Sequence, residues 1–266
     1  MTTIRHAAVA GTFYPGSPRV LAEVVDALIA DAAHEADETA PVALIAPHAG
    51  YVYSGPVAAS AYVRLLPWRD SIRRVVVIGP AHRAYVNGLA LSSADAFATP
   101  LGEVPTDHLA NAVLQRCKGV YVDDHAHSAE HSIEVHLPFL QRVLGDGWSL
   151  VPIVAGTADH QTVADALDTV WGADGTLVVV STDLSHYHDA RTARRLDMVT
   201  AAEIVGVRWE DLDGEQACGA VPVRGALELA RRHGETVSLL DLRNSGDTAG
   251  PADRVVGYGS FVVAAG

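Results

Sequence analysis

The chain has 266 residues, 49% of them hydrophobic, and a formal net charge of −13 at pH 7. This length provides for one large α/β domain or two small ones. The acidic balance excludes general binding to nucleic acid or anionic membranes, because both are themselves negatively charged. There is neither an apolar run of about eighteen residues nor a secretory signal, so we expect no membrane span. Two cysteines are too few for a disulfide scaffold, which favours a reduced, cytoplasmic setting.

Segments typical of strands and of helices alternate along the chain. Short apolar runs bounded by glycine, proline or polar residues indicate buried strands, and apolar residues at helical spacing indicate helices. Strands are predicted at residues 41–45, 73–79, 88–93, 149–154, 177–180, 237–241 and 255–263. Helices are predicted from Pro18 to about Ala33, from Pro56, from Thr106 to about Cys117, from Leu137, over 159–171 and 190–205, and from about Ala220 to His233.

Three stretches lack this periodicity. Residues 4–17 predict a loop laid over the surface, residues 34–39 an acidic linker, and residues 95–105 an irregular excursion. No repeat, low-complexity segment or domain linker is evident. The alternation therefore predicts one α/β domain over residues 1–266, with a central mixed, mostly parallel sheet flanked by helices.

Polar residues able to do chemistry stand where predicted strands end. His48 and His82 each follow an apolar run, and Asp183 and His186 follow another. Ligands and catalytic groups collect at the carboxyl edge of an open α/β sheet, so we expect these residues to meet there. The alternative for any one of them is ordinary turn chemistry at a strand end.

Cys218 is a further candidate, because it precedes Gly219 at a predicted helix N-terminus. That position lowers the pKa of a thiol and favours the thiolate, the form that binds metals. With His48 and His82 it would complete a chemically reasonable redox-metal site. The alternative is a small buried hydrophobic residue, which is the usual state of a free cysteine, and Cys117 is expected only to pack.

The three-residue spacing of Asp183 and His186 lets a carboxylate orient an imidazole for general acid–base catalysis. The alternative is an aspartate that caps a helix beside a loop histidine.

The run from His127 to His131 matches the H-x-x-E-H pattern of inverted zinc peptidases, in which Glu203 would be the further acidic ligand. That pattern has to lie on a helix, whereas residues 124–128 predict a loop. The alternative is that this segment contributes to one side of a substrate pocket. The predicted pocket residues are Tyr51, Glu130, His131, Glu134 and His136.

Several of these motifs together resemble the Memo family, also called AmmeMemoRadiSam system protein B, over nearly the whole chain. The matching segments are residues 10–15 (AGTFYP), 47–51 (PHAGY), 78–82 (IGPAH), 130–138 (EHSIEVHLP), 181–186 (STDLSH) and 218–219 (CG). The resemblance implies a fold similar to class III extradiol dioxygenases. Those enzymes cleave catechol-type rings with non-haem iron(II), held by two histidines and a glutamate, and use another histidine as acid–base.

Carried over by position, the resemblance implies that His48 and His82 are metal ligands and that Cys218 replaces the glutamate. His186 would be the acid–base histidine, with Asp183 beside it. A thiolate ligand is soft and oxidisable, which admits copper beside iron(II) and departs from ordinary ring cleavage. We therefore expect a metal-dependent oxidoreductase acting on an unknown small molecule or on oxygen.

The competing hypothesis is a non-catalytic module that binds a phosphopeptide or another ligand in the same cleft. Arg83, beside His82, is the basic residue that lies inside a motif and would serve such binding. The family name also implies a shared pathway with AMMECR-type and radical-SAM proteins.

Overall fold

The computed structural model describes residues 2–32 and 39–266 of the chain. The β-strands are β1 (Ile4–Arg5), β2 (Pro41–Ala46), β3 (Arg74–Pro80), β4 (Leu89–Leu91), β5 (Ala96–Thr99), β6 (Gly102–Pro105), β7 (Val120–Val122), β8 (Ser149–Ala155), β9 (Thr176–Ser181), β10 (His186–His188), β11 (Thr236–Asn244) and β12 (Val255–Ala264). The α-helices are α1 (Pro18–Asp31), α2 (Tyr51–Tyr62), α3 (His108–Leu114), α4 (Asp124–Ser128), α5 (Leu137–Leu144), α6 (His160–Asp168), α7 (Ala190–Val205), α8 (Ala220–His233) and α9 (Ser245–Thr248).

Most strands belong to one mixed sheet with the order β10–β12–β2–β9–β3–β8–β4–β7, and β11 also pairs with β12. The four central strands, β2, β9, β3 and β8, are mutually parallel. On either side of them the pairing becomes antiparallel, between β12 and β2 and between β4 and β8. The predicted central mixed sheet flanked by helices is confirmed, and its parallel pairings are concentrated in the middle.

The central strands are buried on both faces, which explains why they read as continuous apolar runs. In β2, Leu44 packs with the apolar residues of α1, α2 and α5, whereas Ile45 packs with those of α6 and α8. Both side chains are fully buried. The alternation of side chains along a strand thus feeds two apolar cores, one on each face of the sheet.

Helix α2 begins at Tyr51, so the prediction that it starts at Pro56 is wrong. Gly50 is its N-cap residue, and Pro56 lies inside the helix. A proline leaves the carbonyl four residues earlier without its usual donor. Here that carbonyl belongs to Val52, a residue exposed at the surface, where water can serve instead.

Residues 95–105 were predicted to be irregular, but they form the antiparallel pair β5–β6, and β1 pairs with β5 in parallel. Residues 124–128 were predicted to be a loop, yet they form helix α4 because Asp123 caps its N-terminus by accepting from the N–H groups of His125 and Ala126. Strands β7 and β10, each of three residues, were too short for the apolar pattern to reveal. The predicted end of the first helix at Ala33 and all but the last residue of the predicted linker lie outside the described residues.

The predicted surface loop at residues 4–17 is instead tied into the protein by Glu134. The Glu134 carboxylate pairs with Arg5 and accepts hydrogen bonds from the N–H groups of Ala8 at 2.8 Å and Val9 at 3.0 Å. It also accepts a hydrogen bond from the hydroxyl of Tyr14. A buried charge is tolerated only with such partners, so this carboxylate fixes the path of the N-terminal segment.

We predict that Glu134→Gln destabilises the fold by about 3 to 5 kcal/mol, because it leaves the buried Arg5 guanidinium without its counter-ion. The new amide also directs an N–H₂ group at donors that need an acceptor. Urea unfolding of both proteins measures the change. Glu103→Gln, at an exposed carboxylate of β6, is the matched control and should change the free energy of unfolding by less than about 0.5 kcal/mol. Equal losses in the two variants would contradict the assignment.

Candidate metal centre

Three residues with metal-binding side chains converge at the carboxyl edge of the sheet. His48 and His82 stand two residues beyond the ends of β2 and β3, and Cys218 lies two residues before α8. One ligand atom from each lies within 4.8 Å of the other two. The Nε2 atom of His48 is 3.4 Å from the Sγ atom of Cys218. Two imidazoles and a thiol therefore share one small volume.

Cys218 is brought there by hydrogen bonds between its loop and the loop after β9. Its N–H donates to the carbonyl of Asp183 at 3.2 Å, and its sulfur accepts from the N–H of Asp183 at 3.3 Å. The N–H of Gly219 donates to the hydroxyl of Thr182 at 2.9 Å. A Cβ atom on Gly219 would lie 2.4 Å from the carbonyl oxygen of Ser181, so only glycine permits this approach.

His82 is oriented by the buried carboxylate of Glu130. The Nδ1 atom of His82 lies 3.0 Å from a Glu130 oxygen, and its backbone N–H donates to the same side chain at 2.6 Å. Burial acts to raise the pKa of Glu130, but hydrogen bonds from His131, His82 and Ser132 hold that pKa well below its usual range. An ionised Glu130 accepts the Nδ1 proton of His82 and leaves Nε2 of that ring available to a metal.

His48 is buried and neutral. Its Nδ1 atom lies 2.6 Å from the hydroxyl oxygen of Ser181, and its backbone N–H donates to Asp183 at 2.9 Å. Burial, and then the neighbouring rings of His82 and His131, lower its pKa well below 6.5. The lone pair on a ring nitrogen of His48 is thus available for coordination at neutral pH.

The expected low pKa of Cys218 is not observed. Burial, and then the negative charge of Asp183, raise the pKa of the thiol to about 12, and these effects outweigh hydrogen bonds from Asp183, Thr182 and Gly219 that act to lower it. The helix N-terminus therefore does not by itself produce a thiolate here. A bound cation would be required to deprotonate this sulfur.

Asp183 and His186 lie on the same side of the centre but do not form the predicted pair. Among the hydrogen bonds of the described residues, none joins the two side chains; the Asp183 carboxylate instead accepts from the backbone of His48. Burial raises the pKa of Asp183 above its ordinary value. His186 lies in β10 with its ring half-buried, beside Tyr187.

A cleft of about 340 Å³ opens beside the centre. Of the predicted residues, His131, Asp183 and His186 line it. It is also lined by aromatic and basic residues that the sequence did not single out: Phe13, Tyr53, Tyr187, Arg254 and Tyr258. Tyr187 has a φ of +64°, an uncommon conformation for a residue with a side chain, and Arg254 stacks on its ring at 4.5 Å.

Three residues predicted to line the pocket belong to the core instead. Tyr51 donates its hydroxyl proton to the carbonyl of Val135, Glu134 holds the N-terminal segment, and His136 is fully enclosed. The helix start explains Tyr51, because residues two apart on a helix point about 200° apart. Tyr51 therefore faces inward and Tyr53 faces the cleft.

The zinc-peptidase pattern is not assembled. The Nε2–H of His127 donates to the carbonyl of Ala90 at 3.0 Å, and its ring lies edge-on to Phe97. Glu203 accepts a hydrogen bond from Gln216. Across residues 2–32 and 39–266, no group of close metal-ligating side chains contains His127 or Glu203.

The fold and the cluster define an α/β protein with a candidate metal centre at the carboxyl edge of a mixed sheet. A family model described as Memo-like protein matches residues 5–262. The chain therefore belongs to the Memo family, as its motifs predicted.

Relatives of similar length carry the same family name. A MEMO1 family protein of Aquifex aeolicus is 34% identical over 265 residues, covering 96% of this chain and 97% of the relative. Another, from Methanothermobacter thermautotrophicus, is 36% identical over 279 residues, covering 96% of this chain and 98% of the relative. An uncharacterized protein of Escherichia coli K12 with a crystal structure matches with a TM-score of 0.48 and 12% identity, covering 81% of this chain and 98% of that one. Within the described ranges no helix has the length and apolar character needed to cross a membrane.

The lowered pKa values of two buried histidines predict that the protein loses stability in acid. Burial lowers the pKa of His127 to about 4 and that of His136 to about 3, against about 6.5 in an unfolded chain. Between those values the unfolded chain binds more protons, so this stability is complete above pH 6.5 and falls as the pH falls. Each histidine contributes a slope of about 1.4 kcal/mol per pH unit.

Urea unfolding of metal-free protein between pH 6.5 and 4.5 measures this slope. His127→Gln should reduce the slope by the contribution of one proton, about 1.4 kcal/mol per pH unit. His6→Gln, at an exposed histidine, should leave the slope unchanged. The same slope in the wild type and in His127→Gln would refute the account.

Proposed function

We propose that this protein is a metal-dependent oxidoreductase whose centre holds iron(II) or copper through His48, His82 and Cys218. The observation that carries the proposal is the convergence of two imidazoles and one thiol within 4.8 Å at the edge of the sheet. Imidazole suits iron and copper, and thiolate favours soft transition metals over magnesium or calcium. The substrate would be a small organic molecule in the adjoining cleft, or oxygen itself.

The surroundings of the ligands fit a metal. The Nδ1 atoms of His48 and His82 are engaged by Ser181 and Glu130, which leaves both Nε2 atoms available. A carboxylate that holds the second nitrogen of a ligating histidine recurs in metal sites, where it fixes the ring and raises its basicity. A bound iron or copper ion would supply the electron transfer that activation of oxygen requires.

The protein's own residues would supply orientation and proton handling. His186 lines the cleft with a half-buried ring, so it can hold or accept a proton beside a bound substrate. Asp183, whose pKa burial raises, is another titratable group facing that space. Phe13, Tyr53 and Tyr258 would orient a small substrate and exclude water.

One observation favours the second candidate, a ligand-binding module without turnover. Arg254 is an exposed residue that lines the cleft and stacks on Tyr187, so it could bind an anionic group. Arg83, to which the sequence pointed, is not among the residues that line this cleft. Arg254→Gln should abolish binding of an anionic ligand and leave metal content unchanged if this candidate is correct.

We also propose a cytoplasmic location. Both cysteines are free, which supports a reduced, cytoplasmic location. A pathway shared with AMMECR-type and radical-SAM proteins is proposed from the family resemblance alone.

We predict that protein purified without oxygen contains about one iron or copper ion per chain, and that His48→Ala and Cys218→Ser each lower this content at least about tenfold. Each variant removes one of the three proposed ligands. Elemental analysis against protein concentration gives the measurement.

Cys117→Ser is the matched control, because Cys117 is a free cysteine that packs against an apolar core away from the centre. It should retain the metal content of the wild type. Full metal content in Cys218→Ser, or none in the wild type after iron(II) and copper are added back, would rule out the proposed centre.

A further inference from the structure

We propose that Tyr62, His136 and Ser181 form a buried hydrogen-bond chain that fixes the tautomer of His48 and so keeps its Nε2 atom unprotonated toward Cys218. The hydrogen-bond directions follow from the distances among these side chains. Their consequence for metal affinity rests on the proposed function, so the two are tested separately below.

The hydroxyl oxygen of Ser181 is the meeting point of three polar groups. It lies 2.6 Å from Nδ1 of His48, 2.8 Å from Nε2 of His136 and 2.6 Å from the carbonyl oxygen of Ser132. At the far end, the hydroxyl of Tyr62 lies 2.7 Å from Nδ1 of His136. All five residues are buried, with exposed fractions of 2% or less.

The direction of each hydrogen bond follows from counting protons. A serine hydroxyl has one proton and two lone pairs, and a carbonyl oxygen can only accept. Ser181 therefore donates to Ser132, and it can only accept from the two imidazoles. This places a proton on Nδ1 of His48 and another on Nε2 of His136, and it uses the full hydrogen-bonding capacity of the hydroxyl.

The far end of the chain agrees with this assignment. With its proton on Nε2, neutral His136 presents a lone pair at Nδ1, where the Tyr62 hydroxyl donates. Burial lowers the pKa of His136 to about 3 and raises that of Tyr62 well above 10, so both groups keep these protonation states at neutral pH. Within this hydrogen-bond chain, each donor then has an acceptor and each acceptor has a donor.

The other tautomer of His48 would be costly. It would set two lone pairs, on Nδ1 and on Ser181 Oγ, facing each other at 2.6 Å in a buried site. Leaving such buried groups unsatisfied costs their full desolvation free energy. The hydrogen-bond chain therefore orients the His48 lone pair before any metal arrives, which makes Ser181 and His136 positioning residues.

The first test is independent of metal binding. Long-range ¹H–¹⁵N correlation spectra of metal-free protein distinguish the two imidazole tautomers, and single replacements assign the rings. We expect His48 in the Nδ1–H form and His136 in the Nε2–H form. A wild-type spectrum with His48 protonated at Nε2 would overturn the inference, even if the protein binds metal.

The second test removes the meeting point. Ser181→Ala should release His48 from a single tautomer and weaken iron(II) binding, titrated without oxygen, by about 10- to 100-fold. Ser260→Ala is the matched control, because Ser260 is a fully buried serine whose hydroxyl has no hydrogen-bond partner within the described chain. It should leave the His48 tautomer and the iron affinity unchanged.

The outcomes separate the two hypotheses. Unchanged iron affinity in Ser181→Ala would overturn the positioning role while leaving the centre intact. The expected tautomers in a wild type that retains no metal would support the hydrogen-bond chain and refute the proposed function. If Ser181→Ala fails to fold, the wild-type spectrum still decides whether the chain runs in the stated direction.

Discussion

The arrangement of the site depends on β9 lying between β2 and β3 in parallel. In the register of β2 and β9, Ala46 pairs with Ser181, so His48 and Asp183 stand side by side two residues further on. Their contact, from the N–H of His48 to the Asp183 carboxylate at 2.9 Å, continues that pairing beyond the regular strands. The segments that meet here are far apart in sequence, and the sheet alone brings them together.

In this arrangement the residues of the candidate centre come from different segments of the chain. His48 follows β2. Ser181 is the last residue of β9, and its hydroxyl contacts Nδ1 of the His48 ring. Cys218 is attached to the loop after β9 through Asp183 and Thr182. Because the thiol has a high pKa without a metal, coordination would have to release its proton, and affinity for metals would rise with pH. Proton release would thereby be coupled to metal binding.

The sequence predicted what local signals encode. Apolar runs gave the central strands, and the polar residues just beyond them gave His48, His82 and Asp183. The sequence did not predict the role of Ser181, because the local sequence around a serine at a strand end is the same whether its hydroxyl contacts water or two imidazoles. His136 was expected to face a pocket, but it is buried and contacts Tyr62, which is 74 residues away in the chain.

Other differences have the same origin in distant contacts. Residues 4–17 have the composition of a surface loop, and contacts with distant residues, such as the buried Glu134 more than a hundred residues later, hold them against the protein. The prediction of a low pKa for the Cys218 thiol took account of the helix N-terminus but not of burial or of the negative charge of Asp183. Local patterns therefore indicated which residues reach the site, whereas their protonation and orientation depend on neighbours from other segments.

The two candidate histidine ligands are supported in unlike ways. His48 is fully buried and donates to a neutral hydroxyl, whereas His82 is partly exposed and donates to an ionised carboxylate. An anionic partner raises the basicity of a ligating imidazole more than a neutral one does, because it stabilises the positive charge that develops on the ring. The candidate centre thus combines one imidazole fixed in the core with one imidazole nearer solvent whose partner is an anion. An ion or small molecule arriving from water would meet the His82 side first, while the His48 side is already oriented to receive it.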